Sequence, residues 1–208
     1  MREVVALLPM LLGAFVLPSA MPAQYTKEPA KEDAQALKPQ EHEYGKPNPN
    51  APLELSRFAF LIGEWRCEAK LKRDDGTWYG LTATWEGRYI LDGYAIADEF
   101  RLLAASGELM VLGVNLRSYD AKKKVWHMKW LSALAGTWTD LGPEELGGVS
   151  ADEKVISYIM KEPLAPHAFT RATYTNSSAD RFTWRGERSN DRKTWEEFMV
   201  IEAYRRKN

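Results

Sequence analysis

Cysteine is nearly absent. Cys67 stands alone in 208 residues, which excludes an intramolecular disulfide and any metal site built on several thiolates. Histidine is scarce too, and His42, His127 and His167 lie far apart. A metal site needs three or four converging donors, so no metal is expected. Charge of one sign is also missing. With 28 Lys and Arg against 29 Asp and Glu the formal net charge is −1, and no broad field favours nucleic acid or an anionic membrane. The chain holds no Gly-x-Ser-x-Gly elbow, no phosphate loop, no dinucleotide fingerprint and no His-Glu-x-x-His. No catalytic constellation and no cofactor are read from it.

Only one long apolar run occurs, and it comes first. Arg2 precedes the stretch from Val4 to Leu17, and small residues follow in Ser19-Ala20-Met-Pro-Ala23. Residues 1–23 therefore read as a secretory signal peptide. The run is short for a membrane span and carries Pro9 and Pro18. A periplasmic or secreted protein without stable membrane insertion after cleavage is expected; the alternative is an uncleaved anchor. Residues 24–52 change composition sharply, towards Lys, Glu, Pro, Asn and Ala. Too few apolar side chains are present to offset the entropy of ordering them, so a disordered linker is predicted.

What remains, residues 53–208, is rich in large rings and regular punctuation. The protein has eight Trp, which recur at alternating positions where they fill a core or line a cavity. Turn signals such as Asp74-Asp-Gly76, Asp92-Gly93, Ser106-Gly107 and Asn190-Asp-Arg-Lys193 come at strand-length intervals. Short strands without long helical stripes argue for an all-β sandwich or barrel. A short helix is predicted ahead of it at Pro52–Leu61, where apolar spacing fits 3.6 better than 2. Alternation turns Trp65, Cys67, Ala69 and Leu71 inward on one strand and Tyr79, Leu81, Ala83 and Trp85 on the next. Trp126, Met128 and Trp130 share a face, as do Ile156, Tyr158 and Met160. In the last hairpin Phe182, Trp184 and Gly186 answer Phe198, Val200 and Tyr204. About ten strands result, enough to close a barrel around a small interior.

The pieces Phe-Leu-Ile-Gly63-Glu-Trp65, Arg88-Tyr-Ile-Leu-Asp-Gly93 with Glu99, Tyr119-Asp120, Trp130 and Tyr204-Arg-Arg206 occur in order over residues 56–207. In these the chain resembles the calycin barrels (lipocalins and fatty-acid-binding proteins). More closely it resembles the bacterial domain-of-unknown-function 1579 family. The resemblance implies a single antiparallel lipocalin-like β-barrel and brings no established reaction or ligand. It also implies an inward Glu99, whereas strict alternation from Tyr94 places Asp98 inside and Glu99 outside. Relatives tend to carry an acid after the strand of the Trp130 equivalent; Ser132-Ala133 stands there instead. The loop Pro143–Gly148, with two Glu and three flanking or internal Gly, is peculiar to this chain.

Three functions follow from this reading. In the first, a small, mostly apolar molecule occupies a barrel cavity lined by Trp85, Phe100, Trp126, Met128, Trp130 and Trp184, oriented by Glu99 and Tyr158. In the second, a cavity acid, Glu99 or Asp98, catalyses isomerisation or hydrolysis. In the third, a filled barrel serves as an envelope scaffold. Trp65 and Arg206 are expected to close one barrel end, the guanidinium over the indole, with Arg205 taking that part if the last strand bulges. Cys67 is expected to be a buried, inert thiol. The oligomeric state is not legible.

Overall fold

The computed structural model describes residues 45–152, 154–161 and 169–207. All of these belong to the compact unit Glu41–Asn208. The expected signal peptide and residues 24–44 of the expected linker lie outside the described residues.

The fold is all-β: one antiparallel sheet of eleven strands in the order β6-β5-β4-β3-β2-β1-β11-β10-β9-β8-β7. The strands are β1 (Gly63–Lys72), β2 (Trp78–Ile90), β3 (Ala95–Leu103), β4 (Leu109–Asp120), β5 (Val125–Ser132), β6 (Thr137–Asp140), β7 (Val149–Ala151), β8 (Val155–Lys161), β9 (Phe169–Ser178), β10 (Arg181–Ser189) and β11 (Glu196–Arg205). Every neighbour except the β1–β11 pair is also a sequence neighbour. Such a meander follows from short polar turns between alternating strands. The β1–β11 pairing joins the first strand to the last, Trp65 opposite Arg205 and Leu71 opposite Met199.

The sheet curls into a half-barrel, and its two outermost strands, β6 and β7, do not pair with each other. A second 3₁₀ segment, Pro143–Leu146, lies in that seam and packs against both β5 and β8. Its two acids hold it there: Glu144 Oε1 accepts from the Trp126 backbone N–H at 2.7 Å, and Glu145 Oε2 meets Lys161 Nζ at 2.9 Å. The Glu- and Gly-rich loop is thus a bridge across the seam.

The segment ahead of β1, Leu53–Leu61, is wound as a 3₁₀ helix. Its buried residues, Leu55, Phe58 and Leu61, are three apart, the period of a 3₁₀ turn rather than the 3.6 of an α-helix. Before it, Asn48 N–H donates to Gly93 O at 3.3 Å, tying residues 45–52 to the β2–β3 turn.

Faces follow the pleat. Trp65, Cys67 and Ala69 are buried while Arg66, Glu68 and Lys70 are exposed, and Leu81, Ala83 and Trp85 are buried between exposed Thr82, Thr84 and Glu86. The last strand departs from the expected phase. Met199, Ile201 and Ala203 are its buried residues, so Val200 and Tyr204 face outward. A register shift between Gly186 and Glu187 leaves Phe198 as the extra residue of β11. That bulge sets the side on which every later residue falls.

Candidate functional site

The interior is built from rings at the end covered by the first 3₁₀ segment. Phe58 stands edge-on to Trp126 at 5.0 Å and to Tyr174 at 6.0 Å. Trp65 meets Phe182 edge-on at 4.8 Å, and Trp85 meets Phe182 and Phe100 at 5.4 and 5.1 Å. Edge-to-face pairs place the positive rim of one ring against the negative face of the next, worth about 0.5–1.5 kcal/mol each beyond area burial. This end is solid.

Arg205, rather than Arg206, seals it. Its guanidinium lies 4.1 Å from the Trp65 ring centroid. Arg205 Nη1 donates to Ile62 O and Nε to Ala179 O, both at 2.8 Å. The inward phase of β11 carries odd-numbered residues, so Arg206 points outward to Glu64 at 3.6 Å. Gly63 belongs to the same device. Its φ of 116° suits glycine, and any Cβ there would run into the Arg205 guanidinium. The Trp65 indole N–H donates to Leu61 O at 3.0 Å, which satisfies a carbonyl left over at the end of the 3₁₀ segment. Arg205→Ala is expected to cost about 1–3 kcal/mol of stability through the lost ring contact and two unpaired carbonyls. Arg206→Ala is expected to stay within about 0.5 kcal/mol, as for an ordinary surface change. Paired urea unfolding curves check both.

Against this apolar mass sits a charged pair. Asp98 is 0% and Arg117 1% exposed. Asp98 Oδ1 forms an ion pair with Arg117 Nη1, while Oδ2 accepts from Trp85 Nε1 at 2.9 Å and Asn115 Nδ2 at 3.1 Å. Arg117 Nη2 donates to the Tyr174 hydroxyl at 3.0 Å, and its guanidinium lies 5.0 Å from the Phe58 ring. This one cluster joins β2, β3, β4, β9 and the first 3₁₀ segment. Burial pushes the Tyr174 hydroxyl well above the usual tyrosine range, with the neighbouring Tyr158 adding to the rise. Asp98 Oδ1, Arg117 Nη1 and Arg117 Nε make no hydrogen bond among the described residues, so the first two are held by the ion pair alone.

Following the strands away from the first 3₁₀ segment, the interior loosens. Trp184 is one pleat beyond Phe182, and Trp130 two pleats beyond Trp126; both are only half-buried. Each indole lies over a glycine of the inner face. A Cβ at Gly113 would overlap Trp130, and one at Gly186 would overlap Trp184 and approach Phe198 to 2.7 Å. The two glycines make room for two partly accessible rings.

Of the sequence candidates, Trp85, Phe100, Trp126, Met128 and Tyr158 lie buried on the inner face. Trp130 and Trp184 share that face and are partly open. Glu99 stands outside, exposed, 3.5 Å from Arg101. Alternation had the right phase there and the resemblance the other, because β3 has no bulge between Ala95 and Leu102. Arg117, Asn115, Tyr174 and Phe58 were not read as candidates. Arg117 had a usable signal: with Asn115 and Tyr119 it lies in one phase of β4, a polar set on a strand whose other phase is apolar.

The remaining chemistry is sparse. Burial pushes the Cys67 thiol up to about 12, the nearby Arg66 offsetting this only in part; such a thiol stays neutral at physiological pH and is no nucleophile. The unfolded thiol ionises near 9 and the folded one near 12, so between these values rising pH favours the unfolded chain. Among the described residues no three His, Cys, Asp or Glu converge, and His127 is exposed. Clefts of about 430 and 580 Å³ lie on the outer faces of β8–β10 and of β1, β2 and β11. Another of about 420 Å³ lies beside the first 3₁₀ segment. None of the three is lined by the candidate rings.

Comparison with known proteins adds fold and nothing finer. Neither a family model nor a curated protein matches the chain. The S-type phycobiliprotein lyase CPES from Guillardia theta is similar in structure, with a TM-score of 0.50 at 8% identity, over 74% of this chain and 92% of that one. Rv2717c from M. tuberculosis gives 0.47 at 10% identity, over 76% of this chain and 100% of that one. The redesigned β-barrel mFAP1, solved bound to DFHBI, gives 0.37 at 12% identity, over 71% and 96%. At such identities likeness speaks for architecture alone, and the lyase places this chain with lipocalin-like, calycin-type β-barrel folds.

Proposed function

We propose that this protein binds one small, mostly apolar molecule at the inner end of the half-barrel away from the first 3₁₀ segment. The observation that carries the reading is the pair Trp130 and Trp184: inward-facing, half-buried, and each given room by a glycine on the same face. Rings meant only to fill a core are sealed, as Trp65, Trp85 and Trp126 are. The ligand's apolar body lies against Trp130, Trp184 and Phe100. The partly buried Asn115, opposite Trp130, takes the orienting part, with Asp98 and Arg117 behind it. Tyr158, Trp85, Trp126 and Met128 back these polar groups.

The second 3₁₀ segment closes the seam that the sheet leaves open, completing a barrel for the ligand. With export through residues 1–23, the working compartment is the periplasm or the exterior. Membership of the domain-of-unknown-function 1579 family is part of the same reading. The catalytic alternative has less support. Glu99 faces solvent, and Asp98 is held by the Arg117 ion pair at Oδ1 and by two donors at Oδ2, which suits an anchor more than a proton carrier.

Burying about 500 Å² of apolar surface, ligand and rings together, at ~25 cal/mol per Å² gives ~12.5 kcal/mol, which leaves the ~8 kcal/mol of micromolar binding after an association cost of ~4 kcal/mol. The test is a titration with an anilinonaphthalene sulfonate probe and with extracted lipids, following tryptophan emission. Micromolar, saturable binding is expected, weakened about tenfold or more by Trp184→Ala, the loss of roughly 1.4 kcal/mol or more of ring contact. Unchanged emission with every probe would refute the proposal.

A further inference from the structure

The outward face of a sheet whose other side is packed should be polar, and β1 and β2 obey this with Arg66, Glu68, Lys70, Thr82, Thr84 and Glu86 exposed. β4 does the reverse. Its inward phase holds Val111, Gly113, Asn115, Arg117 and Tyr119; its outward phase holds Leu112, Val114 and Leu116, then Ser118 and Asp120, with Met110 the extra residue of a bulge against β3. The apolar surface continues sideways. Leu131 of β5 pairs with Val114 on one side and Trp138 of β6 on the other. Trp138 is 56% exposed, Leu134 in the β5–β6 turn 54%, and Met110 38%. A tryptophan that open, on the terminal strand of a sheet and next to a leucine-valine stripe, marks a surface meant to be covered.

We infer that this face of β4, β5 and β6 is the interface with a second copy of the chain. The rim argues for that occupant. Glu99 and Arg101 flank the stripe on β3, 3.5 Å apart, and Lys129 and Asp140 flank it on β5 and β6, 3.3 Å apart. Each flank carries one charge of each sign. Each flank is neutral in sum, so neither an acidic nor a basic partner gains from the rim. A two-fold copy of the same face can set Lys129 against an acid and Glu99 against a base, as an isologous contact requires. With strands ~4.8 Å apart and ~3.4 Å per residue, the apolar part measures about 15 by 20 Å. That is the size of the dry centre of a standard interface, whose polar rim brings it to ~800 Å² per partner. The contact lies on the outer side of the sheet, so it stands whether or not the inner face binds a ligand.

Sedimentation equilibrium of the protein as recovered from its host, from about 1 to 100 μM, tests this. The wild type is expected at twice the mass of one chain. Trp138→Glu is expected to raise the dimer dissociation constant at least thirtyfold, the loss of an interface hot spot, without moving the thermal unfolding curve of the dissociated chain. Val114→Glu should do the same at the centre of the stripe. If Val114→Glu does not fold, the exposed Trp138 variant decides alone. A wild type that stays single-chain at 100 μM overturns the inference, and co-flotation of such a monomer with lipid vesicles would assign the face to a membrane instead. A dimer that Trp138→Glu leaves intact overturns it too, since the contact must then lie elsewhere.

Discussion

Arg117→Met lowers the free energy of unfolding by about 3–5 kcal/mol, because it strands the Asp98 carboxylate in the interior without its counter-charge. Trp85 and Asn115 still donate to Oδ2, but two neutral donors do not replace a guanidinium. Asp98→Leu alone is expected to cost a similar amount for the mirror reason. The double variant Asp98→Leu/Arg117→Met is expected to recover most of the loss, because an apolar pair of similar volume often matches a buried ion pair in stability. Urea unfolding of the four proteins closes this double-mutant cycle. If the two single losses simply add, the side chains do not act as a pair. The recovered double variant should be stable and still bind ligand poorly, which separates orientation of a ligand from holding the fold.

Phe58→Ala is the second large effect, about 3–5 kcal/mol, as for truncating a buried phenylalanine where the surroundings collapse incompletely. Phe58 is fully buried and touches Trp126, Tyr174 and the Arg117 guanidinium. These partners come from β5, β9 and β4, so one side chain of the first 3₁₀ segment ties together opposite parts of the sheet. Phe58→Leu, which keeps most of the volume, should cost less than half as much. Because Phe58 and Arg117 are in contact, their combined effect should depart from additivity by at least 0.5 kcal/mol or so. A Phe58→Ala curve that overlays the wild type would mean that the segment does not plug the interior.

The parts of this arrangement legible in the sequence are those where hydrophobicity and pleat agree. In β1, β2, β5 and β8 the apolar phase is the inner phase, and Trp65, Trp85, Trp126 and Tyr158 are found where alternation puts them. The misreadings have local causes. β4 is assigned no face from the sequence, and periodicity alone would report the wrong one, since its inner phase carries Asn115 and Arg117 while the outer carries Leu112, Val114 and Leu116. In β11 the extra residue Phe198 sets the phase, which exchanges Arg205 for Arg206 over Trp65. In Leu53–Leu61, spacings of three and of 3.6 cannot be told apart over nine residues. The strand count rose from about ten to eleven because β6 and β7 are too short for alternation to register. The Asp98–Arg117 pair was hidden for a different reason. Its partners are on adjacent strands and its ring neighbours on distant ones, and no local pattern records such a meeting.

Native mass spectrometry of the protein purified from its own host tests the ligand-binding reading most directly. The expected spectrum shows the folded chain carrying one extra mass of small-molecule size, shed on denaturation and absent from Trp184→Ala. A folded wild type that flies at the mass of the polypeptide alone, and takes up nothing when mixed with the host's extracted lipids, would contradict it.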